Sequence, residues 1–255
     1  MVSASAPSVP HGLLRKNLVG QALVAIIRGD LPGGTWLVEQ EMATRFGVSR
    51  TPIRDTLNQL AAFGVVRLYP NRGAQVQPFG PEQLRDIYLV RQILESEATR
   101  LACGRIAPDA LDFACRQSEA LAAAQEHSED WAREQMDADR NLHDLIARAC
   151  GSERLRTELQ RYWTLIDAVR MSLGHRYEAR EQAVREHLNI IAALRTGNAP
   201  AAADAMTRHI RQTAEAAVNL MFGIPAPRNN AGNHNQNNHH RAQRGVTAVV
   251  RRTKG

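Results

Sequence analysis

Apolar positions first fall into a pattern in HGLLRKNLVGQALVAIIRGD (11–30). There Leu14, Leu18, Ala22, Ala25 and Ile26 recur at helical spacing, and Gly29 marks a stop. LPGGTWL reads as a loop, EQEMATRF (39–46) as a short helix ended by Gly47, and RTPIRDTLNQLAA (50–62) as the next helix. Two β-rich runs, VVRLY and AQVQPF, then flank the turn residues PNRG and predict a hairpin. Helix, helix, tight turn, helix and hairpin make a winged helix-turn-helix. From Pro81 onward every periodic segment is helical. Helices are predicted near 82–104, 109–127, 130–149, 152–173, 176–195 and 200–221, with breaks at Pro108, Gly151, Gly174 and GNAP. The fold class is therefore mainly α: an N-terminal winged helix-turn-helix (11–80) followed by an antiparallel all-helical bundle (81–224). Residues 1–10 and the Asn-, Gln- and His-rich tail 225–255 show no apolar periodicity and are expected to be disordered.

Charge changes this picture through its distribution. The chain of 255 residues has a net charge of +6, and the tail holds six basic residues and no acid. Residues 1–80 carry eight basic against four acidic residues, and 81–224 carry 18 against 22. A basic head and a mildly acidic body suit a polyanionic partner at the head. No apolar run approaches the ~18 residues needed to span a membrane, and MVSASAPSVP lacks the basic start and apolar stretch of a signal peptide. The cysteines Cys103, Cys115 and Cys150 have no C-x-x-C spacing, so reduced thiols and a cytoplasmic location are expected.

The head carries its chemistry at the start of the 50–62 helix. Ser49 is placed as an N-cap, and Pro52 falls in the first turn, where a missing N–H costs little. Ile53, Leu57 and Leu60 form the inward stripe, while Arg50, Arg54 and Asn58 share another face. The N-terminal part of the second helix of a helix-turn-helix enters the major groove, where arginines grip guanine edges or phosphates. A solvated face is the commoner fate of helical arginines. The Gly47 turn, the Arg-rich start and the Arg72–Gly73 wing together favour DNA.

In the body, Asp139 and His143 lie one helical turn apart, and His187 and His209 fall on two later helices beside apolar residues. Three imidazoles and a carboxylate from three helices could converge in a bundle centre, and such a set suits Zn, Mn, Fe or Ni. On spacing alone, satisfied core histidines are the commoner reading. Arg91 sits among Ile87, Leu94 and Ala98 on an inward face, where either a ligand carboxylate or Glu95 one turn on could pair with it.

The run from Leu37 to Val76, LVEQEMATRFGVSRTPIRDTLNQLAAFGVVRLYPNRGAQV, resembles the DNA-binding domain of GntR-family bacterial transcription regulators. The resemblance implies DNA contacts from Ser49, Arg50, Thr51, Arg54, Arg72 and Gly73. Gln40 departs from members that carry an arginine there, which bears on operator preference. Residues 82–222 resemble the FCD effector domain of the FadR-type branch, in IYLVRQILESEATRLA, the D-x-x-x-H of Asp139 and His143, EHLNIIAAL and MTRHI. Six bundle helices rather than seven resemble its VanR-like members. That resemblance implies a divalent metal on Asp139, His143, His187 and His209, and a small organic acid completing its coordination with help from Arg91. It further implies a homodimer on a short pseudo-palindromic operator, acting as a ligand-released repressor and not an enzyme. Two rivals remain: a bundle that is only a dimerisation scaffold, and an HD-type metal-dependent hydrolase using the His143–Asp144 dipeptide with His127 and Asp167.

Overall fold

The structure, a computed structural model, describes residues 11–174 and 177–224. The segments 1–10 and 225–255 lie outside the described residues. Helix α1 (His11–Arg28) buries Leu18, Ala22 and Ile26 as its periodicity predicts, with Val19, Leu23 and Ile27 beside them. α2 (Glu39–Phe46) and α3 (Arg50–Ala62) follow at the predicted bounds, and between them Gly47 adopts φ +64°, the left-handed conformation that only glycine takes at little cost. Ile53, Leu57 and Leu60 are buried under α3.

The hairpin forms as β2 (Val66–Tyr69) against β3 (Gly73–Val76), antiparallel, with Val66 opposite Val76 and Tyr69 opposite Gly73. The stretch expected to be wholly loop contributes a further strand, β1 (Trp36–Leu37), which pairs with the other edge of β3 and gives the order β1-β3-β2. A strand of two residues has no period to read. It exists because distant β3 supplies its hydrogen-bond partners.

Six helices complete the described residues: α4 (Pro81–Ala102), α5 (Pro108–Ala123), α6 (Glu129–Ala149), α7 (Glu153–Leu173), α8 (Tyr177–Arg195) and α9 (Ala199–Phe222). Proline occupies the first turn of α4, α5 and α9, and the side chains of Ser128, Ser152 and Asn198 accept from the first-turn amides of α6, α7 and α9. α5 ends four residues earlier than predicted, because Ala124 turns extended (φ −65°, ψ 127°) and the chain reorganises so that Ser128 can cap α6. α4 packs against α9, α6 and α7, and α8 packs against α5 and α9. α1 lies between α3 and α7 and so joins the head to the bundle. Arg28 of α1 donates to the Met171 carbonyl on α7 at 2.7 Å. Among the described residues no helix is long and apolar enough to cross a membrane.

Candidate metal centre and DNA-binding face

Helices α6, α8 and α9 bring the four predicted ligands together. One ligand atom each from Asp139, His143, His187 and His209 lie within 4.8 Å of one another, and all four residues are buried. The i, i+4 spacing on α6 aims Asp139 and His143 at one point, while His187 and His209 stand with ring centroids 4.7 Å apart.

The outward nitrogens decide what the inward ones do. His143 Nδ1 donates to Glu95 of α4, and His209 Nδ1 donates to Glu186 of α8 at 2.8 Å. A carboxylate can only accept, so these contacts place the ring proton on Nδ1 and leave the Nε2 lone pair facing inward. The Nε2 atoms of His143, His187 and His209 are all buried without a hydrogen-bond partner. Asp139 Oδ1 lies 3.4 Å from His187 Nε2 and 3.9 Å from His143 Nε2, while its Oδ2 accepts from Arg170 Nη1 at 2.7 Å.

Electrostatics keep these groups in ligand form. Burial pushes the Asp139 carboxyl up, but Arg170 and His143 outweigh it and hold the group well below the usual range. Glu95 follows the same logic: burial opposes ionisation, yet Arg91 and His143 bring its pKa to about 2. Burial depresses the pKa of His187, and burial with the neighbouring His187 and His143 depresses that of His209 further, so both are neutral donors of a lone pair. Three partnerless imidazole nitrogens beside an ionised carboxylate fit a divalent cation. They do not resemble satisfied core histidines.

Arg91 lies where predicted, but its Nε donates to Glu95 at 2.6 Å, which is the internal pair that the sequence held open. Its buried Nη1 is left without a partner. Arg170 of α7 instead reaches both Asp139 and the adjoining cleft lined by Tyr88, Gln135, Thr213 and Leu220. Sequence reasoning gave Glu95 and Glu186 no part in orienting the histidines. The available signal was an acid at an inward helical position, Glu95 on the Arg91 face and Glu186 next to His187. The wider hydrolase set is not assembled: Asp144 faces Arg148, His127 pairs with Glu181 and Asp167 with Arg140.

On the head, Ser49, Arg50, Thr51, Arg54 and Arg72 are exposed, and Gly73 is half-buried. Ser49 takes the extended N-cap backbone (φ −73°, ψ 168°) but makes no capping hydrogen bond, correcting that expectation. Its hydroxyl stays in solvent. Glu39 of α2 accepts from Arg50 Nη2 at 3.1 Å and from Arg54 Nε at 3.0 Å, joining the two arginines across the turn. Those hydrogen bonds, Arg54's first, lower the Glu39 pKa. Gly73 adopts φ +91°, and a Cβ there would stand 2.3 Å from the Leu37 carbonyl oxygen, so β1 as well as the hairpin turn requires glycine.

Residues 16–76 match the profile of bacterial regulatory proteins of the gntR family, and residues 86–212 match that of the FCD domain. The chain is 30% identical over 207 residues to the HTH-type transcriptional repressor RspR of Escherichia coli, spanning 77% of this chain and 88% of that protein. It is 26% identical over 194 residues to the Nta operon transcriptional regulator of Aminobacter aminovorans, spanning 74% and 88%. The solved structure of E. coli McbR/YncC shares the fold, with a TM-score of 0.60 and 21% identity over 85% of this chain and 99% of that one. A winged head with an arginine-rich second helix, followed by a helical body of FCD type, thus has named relatives along most of its length, and the chain belongs to the GntR family of bacterial regulatory proteins as a DNA-binding transcription regulator with an FCD domain.

Proposed function

We propose that the chain is a homodimeric cytoplasmic repressor. Two heads (11–80) hold the half-sites of a short pseudo-palindromic operator, and the bundle (81–224) releases them when a small organic acid binds at a divalent metal. The observation that carries this reading is the convergence of three partnerless Nε2 atoms on one side of Asp139. Asp139, His143, His187 and His209 would hold Zn, Mn, Fe or Ni. The metal, when bound, offers open coordination positions to a carboxylate. Arg170 and Thr213 line the cleft that leads to Asp139, and Arg91 contributes its remaining Nη1 from behind Glu95. Arg170 and Arg180 both line that cleft, whereas the family resemblance gave the acid-binding role to Arg91 and left Arg148 and Arg170 open.

On DNA, Ser49, Arg50, Thr51 and Arg54 enter the major groove from the start of α3, and Arg72 with Gly73 places the wing on the backbone. Arg54→Ala is expected to weaken operator binding and to relax base preference at one position by about 1–3 kcal/mol. Metal content should stay unchanged. A gel-shift series on single-base operator variants, with metal analysis of the same sample, checks both.

The deciding experiment is thermal stability against a panel of small carboxylic acids, before and after stripping with a chelator. A shift for one acid that disappears on stripping supports the metal-centred sensor and names its ligand class. Protein that holds no stoichiometric metal, and shifts for no acid, returns the bundle to a dimerisation scaffold.

A further inference from the structure

Helices α8 and α9 continue away from the histidine cluster as stripes of small or apolar residues. On α9, His209 is followed at helical spacing by Thr213, Ala217 and Leu220, and on α8, His187 is preceded by Ala183 and Ala179. Arg170 of α7, which holds Asp139, has Leu173 one turn further on. Beyond the two histidines these residues line one cleft, of about 80 Å³. The stripes end at the head. Leu173 and Leu220 also line a second cavity, of about 470 Å³, together with Ile26 and Ile27 of α1 and Phe79 in the link between the hairpin and α4. Two leucines thus stand between the cleft beside the cluster and the junction of head and bundle.

The lining decides which acids suit this cleft. Its charged end is Arg170 beside Asp139. Further along, polar side chains are already engaged. The Thr213 hydroxyl donates to the His209 carbonyl at 2.9 Å. Arg180 Nη1 donates to Gln135 Oε1 at 3.2 Å and to the Ala132 carbonyl at 2.9 Å. The rest of the lining is mostly alanine and leucine. A ligand hydroxyl placed there gives up water without gaining an equal partner, whereas a methylene placed there leaves water favourably. At a rise of about 1.5 Å per residue, roughly 10 Å of α9 separates Thr213 from Leu220. An acid held at Arg170 must therefore carry several carbons to touch the leucine wall.

We propose that the ligand of this site is an aliphatic monocarboxylate, with its carboxylate at Arg170 and the cluster and its chain along the alanine-lined cleft, and that the far end of the chain, pressing on Leu173 and Leu220, is the part to which the head responds. The inference rests on the acid-binding reading above and narrows its ligand class. The carboxylate provides attachment and the chain provides the response. Short acids achieve the first without the second. A longer chain fills the narrow cleft and moves the leucines, since packed interiors yield by discrete repacking. The cavity beyond, beneath Ile26 and Ile27, gives those side chains space to enter. Release then follows if the chain fits better with the leucines displaced than with them in the operator-bound arrangement.

The test is calorimetry on the metal-loaded full chain with acetate, butanoate and hexanoate, and with adipate and gluconate as six-carbon acids of other chemistry. Affinity is expected to rise about fourfold per methylene from acetate to hexanoate, the gain from burying each one. Adipate and gluconate should trail hexanoate by about tenfold or more. Fluorescence anisotropy on a labelled operator should show hexanoate releasing the protein and saturating acetate leaving it bound. Ala183→Leu narrows the cleft between its two ends, and should lower hexanoate affinity on the order of tenfold while acetate binds as before. Equal affinities across the monocarboxylates, or adipate or gluconate ahead of hexanoate, overturns the aliphatic chain and leaves the acid site. Hexanoate that binds tightly without releasing the operator overturns the role of the leucine wall. A chain that binds none of the five acids overturns the acid-binding reading itself.

Discussion

A buried imidazole is defined by the partner of its outward nitrogen. His209 is aimed by Glu186, and His143 by Glu95, whose carboxylate also takes Arg91. Removing such an outer partner typically lowers metal affinity about 10–100-fold without touching a ligand. Glu186→Ala should show a loss of that size in competition against a chromophoric chelator, with stoichiometry unchanged at saturating metal. Removal of a ligand behaves differently: Asp139→Ala or His187→Ala should abolish stoichiometric metal altogether. The four clustered residues were legible in the sequence because helical spacing and a family resemblance both address positions along one chain. Their orienting acids were not, because Glu95 reaches His143 across 48 residues of sequence and no spacing rule covers that pairing. The same limit hid the internal pairing of Arg91, which periodicity can bury but cannot partner.

Between elements, the turn from α2 to α3 is held by Glu39, which ties Arg50 and Arg54 together before any DNA arrives. Glu39→Gln would leave the arginines in place and remove one negative charge from the face that meets phosphate. Binding to non-specific DNA should tighten, and the slope of log affinity against log salt should steepen by about one. Discrimination between operator and random sequence should fall. The wing depends on a different closeness. Gly73→Ala drives a methyl into the Leu37 carbonyl at a positive φ, and should destabilise the head by on the order of 2 kcal/mol. Denaturation followed by Trp36 fluorescence should report this loss, with metal binding by the bundle preserved. Helix bounds were readable to within a few residues because 3.6-residue periodicity runs the length of each helix. β1 was not readable: two residues gain their structure wholly from β3. Ser49 shows a third case, in which sequence placed the cap position but the rotamer kept its hydroxyl in water.

At the scale of the molecule, the head meets the bundle through α1 and α7, and the last turn of α7 carries two consecutive residues with separate attachments. Arg170 holds Asp139 of the metal cluster, and the carbonyl of Met171 accepts from Arg28 of the head. If coupling between the cluster and the head runs through this junction, a change in how Asp139 is held would arise one peptide unit from the support of α1. Arg28→Ala should leave metal content and stripped-protein operator affinity nearly unchanged. It should shrink the difference in operator affinity between metal-loaded and chelator-stripped protein, measured by fluorescence anisotropy on one labelled operator. Equal differences in wild type and variant would rule out this junction as the connection. Coupling of this kind is reciprocal, since a factor by which metal alters affinity for DNA is also the factor by which DNA alters affinity for metal. The promoter is then itself an effector of the protein: a chain seated on its operator and a chain adrift from it would draw on the cell's metal pool with different strengths.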